Sequence, residues 1–243
     1  MMRSDSFGDF ISQNSQETST EALFDRFTSV MGSYGYDRLI FSVPRDPDLP
    51  EHLNQIGLFH RYPEDWHKFY LEKDFARIDP VLKCAATYDF AFQWSDLERD
   101  LPLSKAQVKF MRLGEEAGLN NGVGIPLRGK GAQIAGVALA TSHKQDECLK
   151  DLDLINAYCT WFYTAYKRLN AKSKPSLPIT LTPQEREILM RVATGRTDDE
   201  IGAALNISRN TVDSHMRHIF RKLDVNSRVA ASVRGIMIGV IHP

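Results

Sequence analysis

Residues 181–227 read LTPQEREILMRVATGRTDDEIGAALNISRNTVDSHMRHIFRKLDVNS and contain two short helical patterns joined by a tight turn. The first pattern, 198–205, carries acidic residues in its first turn, where the helix dipole favours them, and two apolar residues four positions apart. Residues 206–208 interrupt the period, and Ser208 or Asn210 can accept backbone N–H groups as the N-cap of a second helix. The segment therefore predicts a helix-turn-helix.

The second helix of this segment has two different faces. Its apolar residues follow spacings of four, three, one and three, which places them on one buried stripe: Val212, Met216, Ile219, Phe220 and Leu223. The other face is polar and largely basic, and such a helix can enter the major groove, where Arg contacts guanine or phosphate. We predict that double-stranded DNA is bound by Arg209, Asn210, Thr211, Asp213, Ser214, Arg217, Arg221 and Lys222.

Further residues fall at positions shared with a known family: Leu181-Thr182-Pro183-Gln184-Glu185, Gly195, Glu200-Ile201, Ser208, Thr211-Val212, His215, Lys222-Leu223 and Arg228. On these residues the stretch resembles the helix-turn-helix of LuxR-type regulators. The resemblance implies a homodimer on a palindromic promoter element, with RNA polymerase as a further partner. Some members carry a basic base-reading residue where this chain has Asp213, which here would accept from a cytosine amine or hold Arg217 in place.

Length and composition indicate two domains. The chain has 243 residues and a hydrophobic content of 42%, which is ordinary for a protein with a real core. Two prolines and small polar residues in 172–180 predict a linker between an N-terminal domain, 1–171, and the DNA-binding domain, 181–243.

Charge is divided unequally along the chain. Residues 174–243 hold ten Lys/Arg and seven Asp/Glu, a net charge of +3, whereas residues 1–173 carry −4. Because +3 is modest for a DNA-binding domain, one copy should bind weakly and with strong salt dependence. A dimer on two half-sites would supply the missing affinity.

Other sequence features limit the class of protein. The three cysteines, Cys84, Cys148 and Cys159, are odd in number and lack CxxC spacing, which indicates neither disulfides nor zinc, and we expect no cofactor or metal. No apolar run approaches the roughly twenty residues that span a bilayer, and the polar start MMRSDSFGDF lacks a signal-peptide core. We therefore expect a cytoplasmic protein without a membrane partner, associated with the nucleoid when bound to DNA.

The N-terminal domain mixes strand and helix patterns. Strands are predicted over 38–43 and 55–59, a hairpin over 122–127 and 133–141, and a long helix over 146–169. Antiparallel strands framed by helices indicate an α+β fold. We predict an N-terminal α-β-α sandwich with a central antiparallel sheet, followed by an all-α helix-turn-helix domain.

This N-terminal part also resembles a known domain. The stretch Tyr62-Pro63-Glu64-Asp65-Trp66, together with Asp79-Pro80, Trp94, Gly114, Gly118 and Pro126, is similar to the autoinducer-binding domain of LuxR-type quorum-sensing regulators, so that the resemblance runs from about residue 20 to 241. Members of that family bind N-acyl homoserine lactones, and the resemblance implies that ligand. Trp66 would donate to the lactone carbonyl, Asp79 would accept from the amide N–H, and Tyr62 would bond the acyl carbonyl. The apolar part would be enclosed by Tyr70, Trp94, Phe110, Val123, Ile125, Val137 and Ala138.

Two positions depart from the family pattern. Ala138 stands where many lactone receptors have Ser or Thr bonded to the acyl carbonyl, and Gly124 replaces a bulkier or hydroxylated residue of some members. A missing neutral hydrogen bond costs on the order of 1 kcal/mol, which changes specificity without excluding the ligand class. We expect a larger or less polar pocket, and a lactone that lacks a 3-oxo group or has a longer or bulkier acyl chain.

Simpler interpretations of these residues remain open. Tyr62 and Trp66 could pack together beside a helix start, Trp94 could be plain core, and Asp79 before Pro80 is a natural helix N-cap, a role compatible with ligand binding. An enzyme is disfavoured because no nucleophile with an adjacent base can be identified. A phosphorylation-driven regulator would need a doubly wound receiver domain, whose alternation is absent.

The predicted mechanism is a ligand-gated dimer. Ligand binding would stabilise the N-terminal domain and so raise the population of DNA-competent dimer. The long helix 146–169 is the predicted dimer surface, with further contacts from a C-terminal helix, 228–241. The alternative is an orphan regulator of the same family that responds to another small molecule or acts without a ligand.

Overall fold

A computed structural model describes residues 6–129, 131, 133–143, 151–171 and 179–243. The described chain forms two compact units. One contains the residues up to Arg128 together with Ile134–Ala171, and the other consists mainly of the chain after residue 178. Of the predicted linker, residues 172–178 lie outside the described residues.

The first unit consists of helices around one sheet. Its helices are α1 (Phe7–Asn14), α2 (Thr20–Ser33), α3 (Glu64–Glu72), α4 (Pro80–Thr87), α5 (Trp94–Asp100), α6 (Lys105–Glu116) and α7 (Leu152–Asn170). Its strands are β1 (Arg38–Arg45), β2 (Phe59–His60), β3 (Phe92–Gln93), β4 (Asn120–Arg128) and β5 (Ile134–Thr141). The strand order is β2-β1-β5-β4-β3, and every neighbouring pair is antiparallel.

The two faces of the sheet have different coverings. Since successive strand residues point to opposite faces, the register that pairs Ile40 with Ala138 and Ala138 with Gly124 puts these three residues on one face. The odd-numbered residues of β1, β4 and β5 point to the other face, where they form the main core with α2 and α7. Helices α3 to α6 cover the even-numbered face. The predicted α-β-α sandwich with an antiparallel sheet is confirmed.

Some predicted boundaries were wrong. The strand predicted over 55–59 is reduced to Phe59–His60, because Gly57 has a φ of +71° and its N–H donates to the Ser42 side chain instead of to a backbone carbonyl of β1. The long helix begins at Leu152 in the described residues, and 146–150 of the prediction lie outside them.

The second unit is entirely helical, with α8 (Pro183–Ala193), α9 (Asp198–Leu205), α10 (Arg209–Leu223) and α11 (Arg228–Met237). The predicted helix-turn-helix is confirmed, and α9 has the predicted bounds. Ser208, not Asn210, is the N-cap of α10, since its side chain accepts from the N–H of Thr211. The last helix ends at Met237, short of the predicted 241, and Gly239 follows with a φ of +71°.

Candidate functional site

A cavity of about 320 Å³ lies within the first unit, between the even-numbered face of the sheet and helices α3, α4 and α6. Eight of the ten predicted ligand-binding residues line it: Tyr62, Trp66, Tyr70, Asp79, Trp94, Phe110, Val137 and Ala138. The cavity wall is mostly apolar. Its polar groups are few and are supplied mainly by α3 and by the start of α4.

Helix α3 supplies the aromatic side of the cavity. Tyr62, Trp66 and Tyr70 are four residues apart, so they lie above one another along α3 and the turn that leads into it. The Trp66 and Tyr70 rings each have their centroid 5.9 Å from that of Phe110, which comes from α6. Tyr62 and Trp66 therefore belong both to an aromatic cluster and to the cavity wall.

Asp79 is the buried acidic residue of the cavity. It is the N-cap of α4, and its Oδ1 accepts from the N–H groups of Val81 and Leu82 at 2.8 and 3.2 Å. Its Oδ2 accepts from the Tyr70 hydroxyl at 2.9 Å. Burial raises the pKa of Asp79, and these hydrogen bonds oppose that rise. The carboxylate is thus fixed in position, with the second oxygen directed to the side where Tyr70 lies.

The two tyrosines of the cavity remain neutral donors at physiological pH. Burial raises the pKa of Tyr62 and of Tyr70, and the nearby charge of Asp79 raises both further. A neutral phenol can donate one hydrogen bond and accept others. With the indole N–H of Trp66, the cavity therefore presents donors and one strong acceptor on a single side.

Two predicted wall residues do not line the cavity. Val123 and Ile125 are odd-numbered residues of β4, fully buried in the core on the opposite face of the sheet. Apolar character suggested them, but strand alternation puts Gly124 between them on the cavity side. Val137 borders the cavity, although it also belongs to the main core.

The sequence reading missed the contribution of β1. Ile40, Ser42 and Pro44 line the cavity, and their spacing of two residues is the signal that could have identified them. Ser42 is a hydroxyl in a mostly apolar wall, and its Oγ accepts from the N–H of Gly57 at 2.9 Å. Along the paired strands the cavity runs from Ala138 and Ile40 to Gly136 and Ser42. Gly136 lies against Ala85, which is farther along α4 than Asp79.

Further wall residues come from helices and turns that the sequence reading did not assign: Ile56, His67, Leu71, Val81, Leu82, Ala85, Ala86, Met111, Gly114 and Leu119. His67 lies against His60, with ring centroids 3.9 Å apart. Partial burial lowers the pKa of His67, the neighbouring His60 lowers it further, and Glu64 opposes the shift.

The expectation of extra space beside Gly124 was wrong. The ring of Phe92 lies over this glycine, because a β-carbon built at Gly124 would come within 3.0 Å of three ring carbons. Phe92 is 5% exposed and is directly paired with Gly124 in the sheet. The volume that a larger residue 124 would occupy is therefore filled by an aromatic ring.

Helix α10 presents its polar face to solvent. Its buried stripe is Val212, Met216, Ile219 and Leu223, with Phe220 partly buried. The predicted DNA-binding residues Arg209, Asn210, Ser214, Arg217, Arg221 and Lys222 are exposed, whereas Thr211 and Asp213 are partly buried. Asp213 accepts from Arg217 at 2.5 Å, one turn away, which is one of the two roles expected for it.

Lys222, although exposed, also makes an ion pair within its own unit. Its ammonium donates to the carboxylate of Glu185 at 2.7 Å and to the carbonyl of Thr180 at 3.3 Å. The Glu185 side chain is only 4% exposed. Lys222 therefore connects α10 to the start of α8, because its position on the helix turns it from the outer face toward a buried acid.

The apolar stripe of α7, the helix predicted as the dimer surface, packs within its own unit. Its apolar stripe, including Ile155, Phe162 and Tyr166, is fully buried in the main core, and α1 packs Phe10 against Tyr158 with ring centroids 5.1 Å apart. Helix α11 differs. It exposes an apolar stripe in which Val229, Val233 and Ile236 are 74%, 50% and 40% exposed.

Within the described parts of the chain, no group of three or more His, Cys, Asp or Glu side chains could hold a metal ion. Over the same residues, no helix is both long and apolar enough to cross a membrane.

Comparison with known proteins finds two family models along the chain. The autoinducer binding domain matches residues 19–162, and the luxR family of bacterial regulatory proteins matches residues 179–234. The quorum sensing-dependent transcriptional regulator RpaR of Rhodopseudomonas palustris is 34% identical over 227 residues, which cover 91% of this chain and 89% of RpaR. The transcriptional activator AhyR of Aeromonas hydrophila is 27% identical over 226 residues, covering 91% and 85%.

Solved structures share the fold. Escherichia coli SdiA superposes with a TM-score of 0.62 at 22% identity and covers 96% of both chains. SdiA in complex with octanoyl-rac-glycerol gives a TM-score of 0.61 at 21% identity and covers both chains completely.

Proposed function

Because the chain belongs to the LuxR family of quorum-sensing transcriptional regulators, we propose that it binds an N-acyl homoserine lactone in the cavity and, as a homodimer, a palindromic promoter element. The family consists of transcriptional regulators and not of enzymes. DNA binding and response to a small molecule follow from the two domains. The ligand class and the dimer are the proposal.

One observation carries the ligand class. The cavity has its donors and its acceptor on one side, from Tyr62, Trp66, Tyr70 and Asp79, while the rest of its wall is mostly apolar. An N-acyl homoserine lactone matches this arrangement, since its amide and lactone are polar and its acyl chain is apolar. Trp66 would donate to the lactone carbonyl, Asp79 would accept from the amide N–H, and Tyr62 would bond the acyl carbonyl.

The cavity extends along the strands in a way that suits the acyl chain. From Ala138, next to the polar groups, it continues past Gly136 to Ile134, and on the neighbouring strand from Ile40 to Pro44. Ser42 gives this apolar part a hydroxyl. An oxygen farther along the acyl chain would therefore find a donor in this hydroxyl.

The exposed stripe of α11 supports the dimer. Three large apolar side chains on successive turns of one helix are unusual on a monomer surface and favour burial against a partner. Two copies would bring two α10 helices to successive major grooves. The affinity that a net charge of +3 does not provide would then come from the second half-site.

The proposed ligand is tested by the thermal stability of the purified protein with acyl-homoserine lactones of different chain length and 3-position oxidation. Ligand that binds only the folded state stabilises it by about 2.7 kcal/mol at a hundredfold excess over Kd. The matched control is Asp79→Asn. Its side-chain oxygen can still cap α4, but its NH2 group takes the place of the second carboxylate oxygen and cannot accept from the ligand N–H. We expect a chain-selective rise in the wild type that is lost in the variant.

If no lactone raises the melting temperature of folded, DNA-binding protein, the ligand class is wrong. The protein would then be a LuxR-family regulator that responds to another molecule or to none.

A further inference from the structure

Two aromatic rings lie flat against strand β4 where the strand has no side chains. Gly122 and Gly124 are two residues apart and therefore on the same face of the sheet. A β-carbon built at Gly122 would overlap the ring of Trp94, and one built at Gly124 would overlap the ring of Phe92. The two rings come from the short edge strand β3 and the start of α5, so each glycine makes room for one ring.

Phe92 lies directly behind the cavity wall. It belongs to a cluster of buried residues with Val81, Cys84 and Leu97. Val81 also lines the cavity, as do four partly buried members of this cluster: Ala85, Trp94, Met111 and Ala138. The Phe92 ring therefore packs with small wall residues of the cavity, Ala85 and Ala138, as well as with the buried side chains of Cys84 and Leu97.

The position of Phe92 along the cavity follows from the register. Phe92 pairs with Gly124, and Gly124 pairs with Ala138. Phe92 and Ala138 pack in one cluster with Val81, whose N–H donates to Asp79 at the start of α4. The opposite end is formed by Pro44 and Ile134. Phe92 therefore bounds the polar end of the cavity and does not bound the far end.

We propose that Phe92 is a specificity-determining residue that limits the bulk of the ligand beside its polar head. This inference rests on the proposed function, because it assigns the polar end of the cavity to the ligand's head and the first carbons of its acyl group. With Phe92 in place, a branched carbon next to the amide carbonyl has no room. The length of the acyl tail is limited at the other end and is independent of Phe92.

The test compares wild type with Phe92→Leu, using N-hexanoyl homoserine lactone and its analogues with a methyl or ethyl branch at the carbon next to the carbonyl. A straight-chain series from four to about twelve carbons measures tail preference. Phe92→Ala is a second variant that removes more of the side chain. Phe90→Ala is the control, because Phe90 is 65% exposed and nearby in sequence. Affinity is read from the ligand-induced shift in melting temperature.

We expect Phe92→Leu to improve binding of the branched ligands relative to the straight one by on the order of tenfold, with the preferred tail length unchanged. Phe90→Ala should behave as wild type. An unchanged ratio of branched to straight affinity in a folded variant would overturn the inference, and so would a shift of tail preference without a gain for branched ligands.

Failure of the proposed function gives a different pattern. If wild type is stabilised by no lactone, the ligand class is wrong, and the role of Phe92 is then judged with benzene as an apolar probe of the enlarged space. Phe92→Ala should gain benzene-induced stabilisation over wild type and over Phe90→Ala. Equal stabilisation of all three proteins would show that Phe92 does not bound the cavity.

Discussion

The ammonium of Lys222 lies 2.7 Å from the carboxylate of Glu185, a side chain that is 4% exposed. Burial by itself would raise the pKa of Glu185, but hydrogen bonds from Lys222 and Thr182 outweigh it and hold the pKa below its ordinary value. The same carboxylate completes the capping box of α8, since its Oε2 accepts from the N–H of Thr182 at 2.7 Å. Glu185 thus joins the start of α8 to α10.

Replacing Lys222 should affect stability more than DNA contacts. Lys222→Met leaves the Glu185 carboxylate without its charged partner, so we expect a loss of about 1–3 kcal/mol in the free energy of unfolding. The salt dependence of DNA binding should change little. Arg221→Ala is the comparison, because Arg221 is exposed on the same turn; it should reduce the slope of log K against log salt by about one and leave stability nearly unchanged. A Lys222→Met protein with unchanged stability and a reduced salt slope would show that Lys222 contacts DNA.

Gly124 and Phe92 should be energetically coupled. Gly124→Ala forces a buried ring to move, and overpacking of this kind typically costs about 1–3 kcal/mol. In a Phe92→Leu background the same alanine should cost less, because the atoms it would meet are gone. A double-mutant cycle on the free energy of urea unfolding measures this coupling. Independent, additive effects of the two changes would show that Gly124 and Phe92 are not coupled.

His67 should make the first unit sensitive to acid. Its pKa is lowered in the folded protein, so the unfolded chain binds more protons once the pH falls below the ordinary value of 6.5. The stability contributed by neutral His67 is present above that value and is lost as the pH falls through the folded-state pKa. We expect the melting temperature of wild type to drop more steeply than that of His67→Gln over this window. Parallel pH profiles of the two proteins would exclude a role for His67.

The α11 stripe should control association. Val233→Glu places a charge in the centre of the exposed apolar surface, where burial against a partner would cost several kcal/mol. Sedimentation should show a shift toward monomer, and affinity for a two-half-site DNA should fall much more than affinity for a single half-site. Phe90→Glu, an equally drastic change at an exposed apolar residue elsewhere, is the control. A Val233→Glu protein that stays dimeric would place the interface on another surface.

Short-range patterns were enough for the second unit. The period of α10, the acidic first turn of α9 and the serine at position 208 are local signals, and the structure has these elements where the sequence predicts them. Long-range contacts decided Lys222. Its partner is 37 residues away, so the helical period alone could not show that this exposed lysine reaches a buried acid.

The cavity, too, was predicted from the sequence only in part. Tyr62, Trp66, Tyr70 and Asp79 are close in sequence, and they were identified as a group. The strand residues were only partly identified, because apolar character marks a strand as buried without saying which face is which. That choice depends on the register of β4 with β5, which puts Gly124 opposite Ala138.

The sequence by itself determined the α+β class and the helix-turn-helix, because these depend on periodicity and capping along a short stretch of chain. It indicated the aromatic and carboxylate residues of the cavity through their resemblance to the autoinducer-binding domain. Only the tertiary structure decided which strand face holds the cavity, that Phe92 fills the space over Gly124, and that Lys222 bonds Glu185. Each of these depends on residues distant in sequence that meet only when the strands pair and the helices pack.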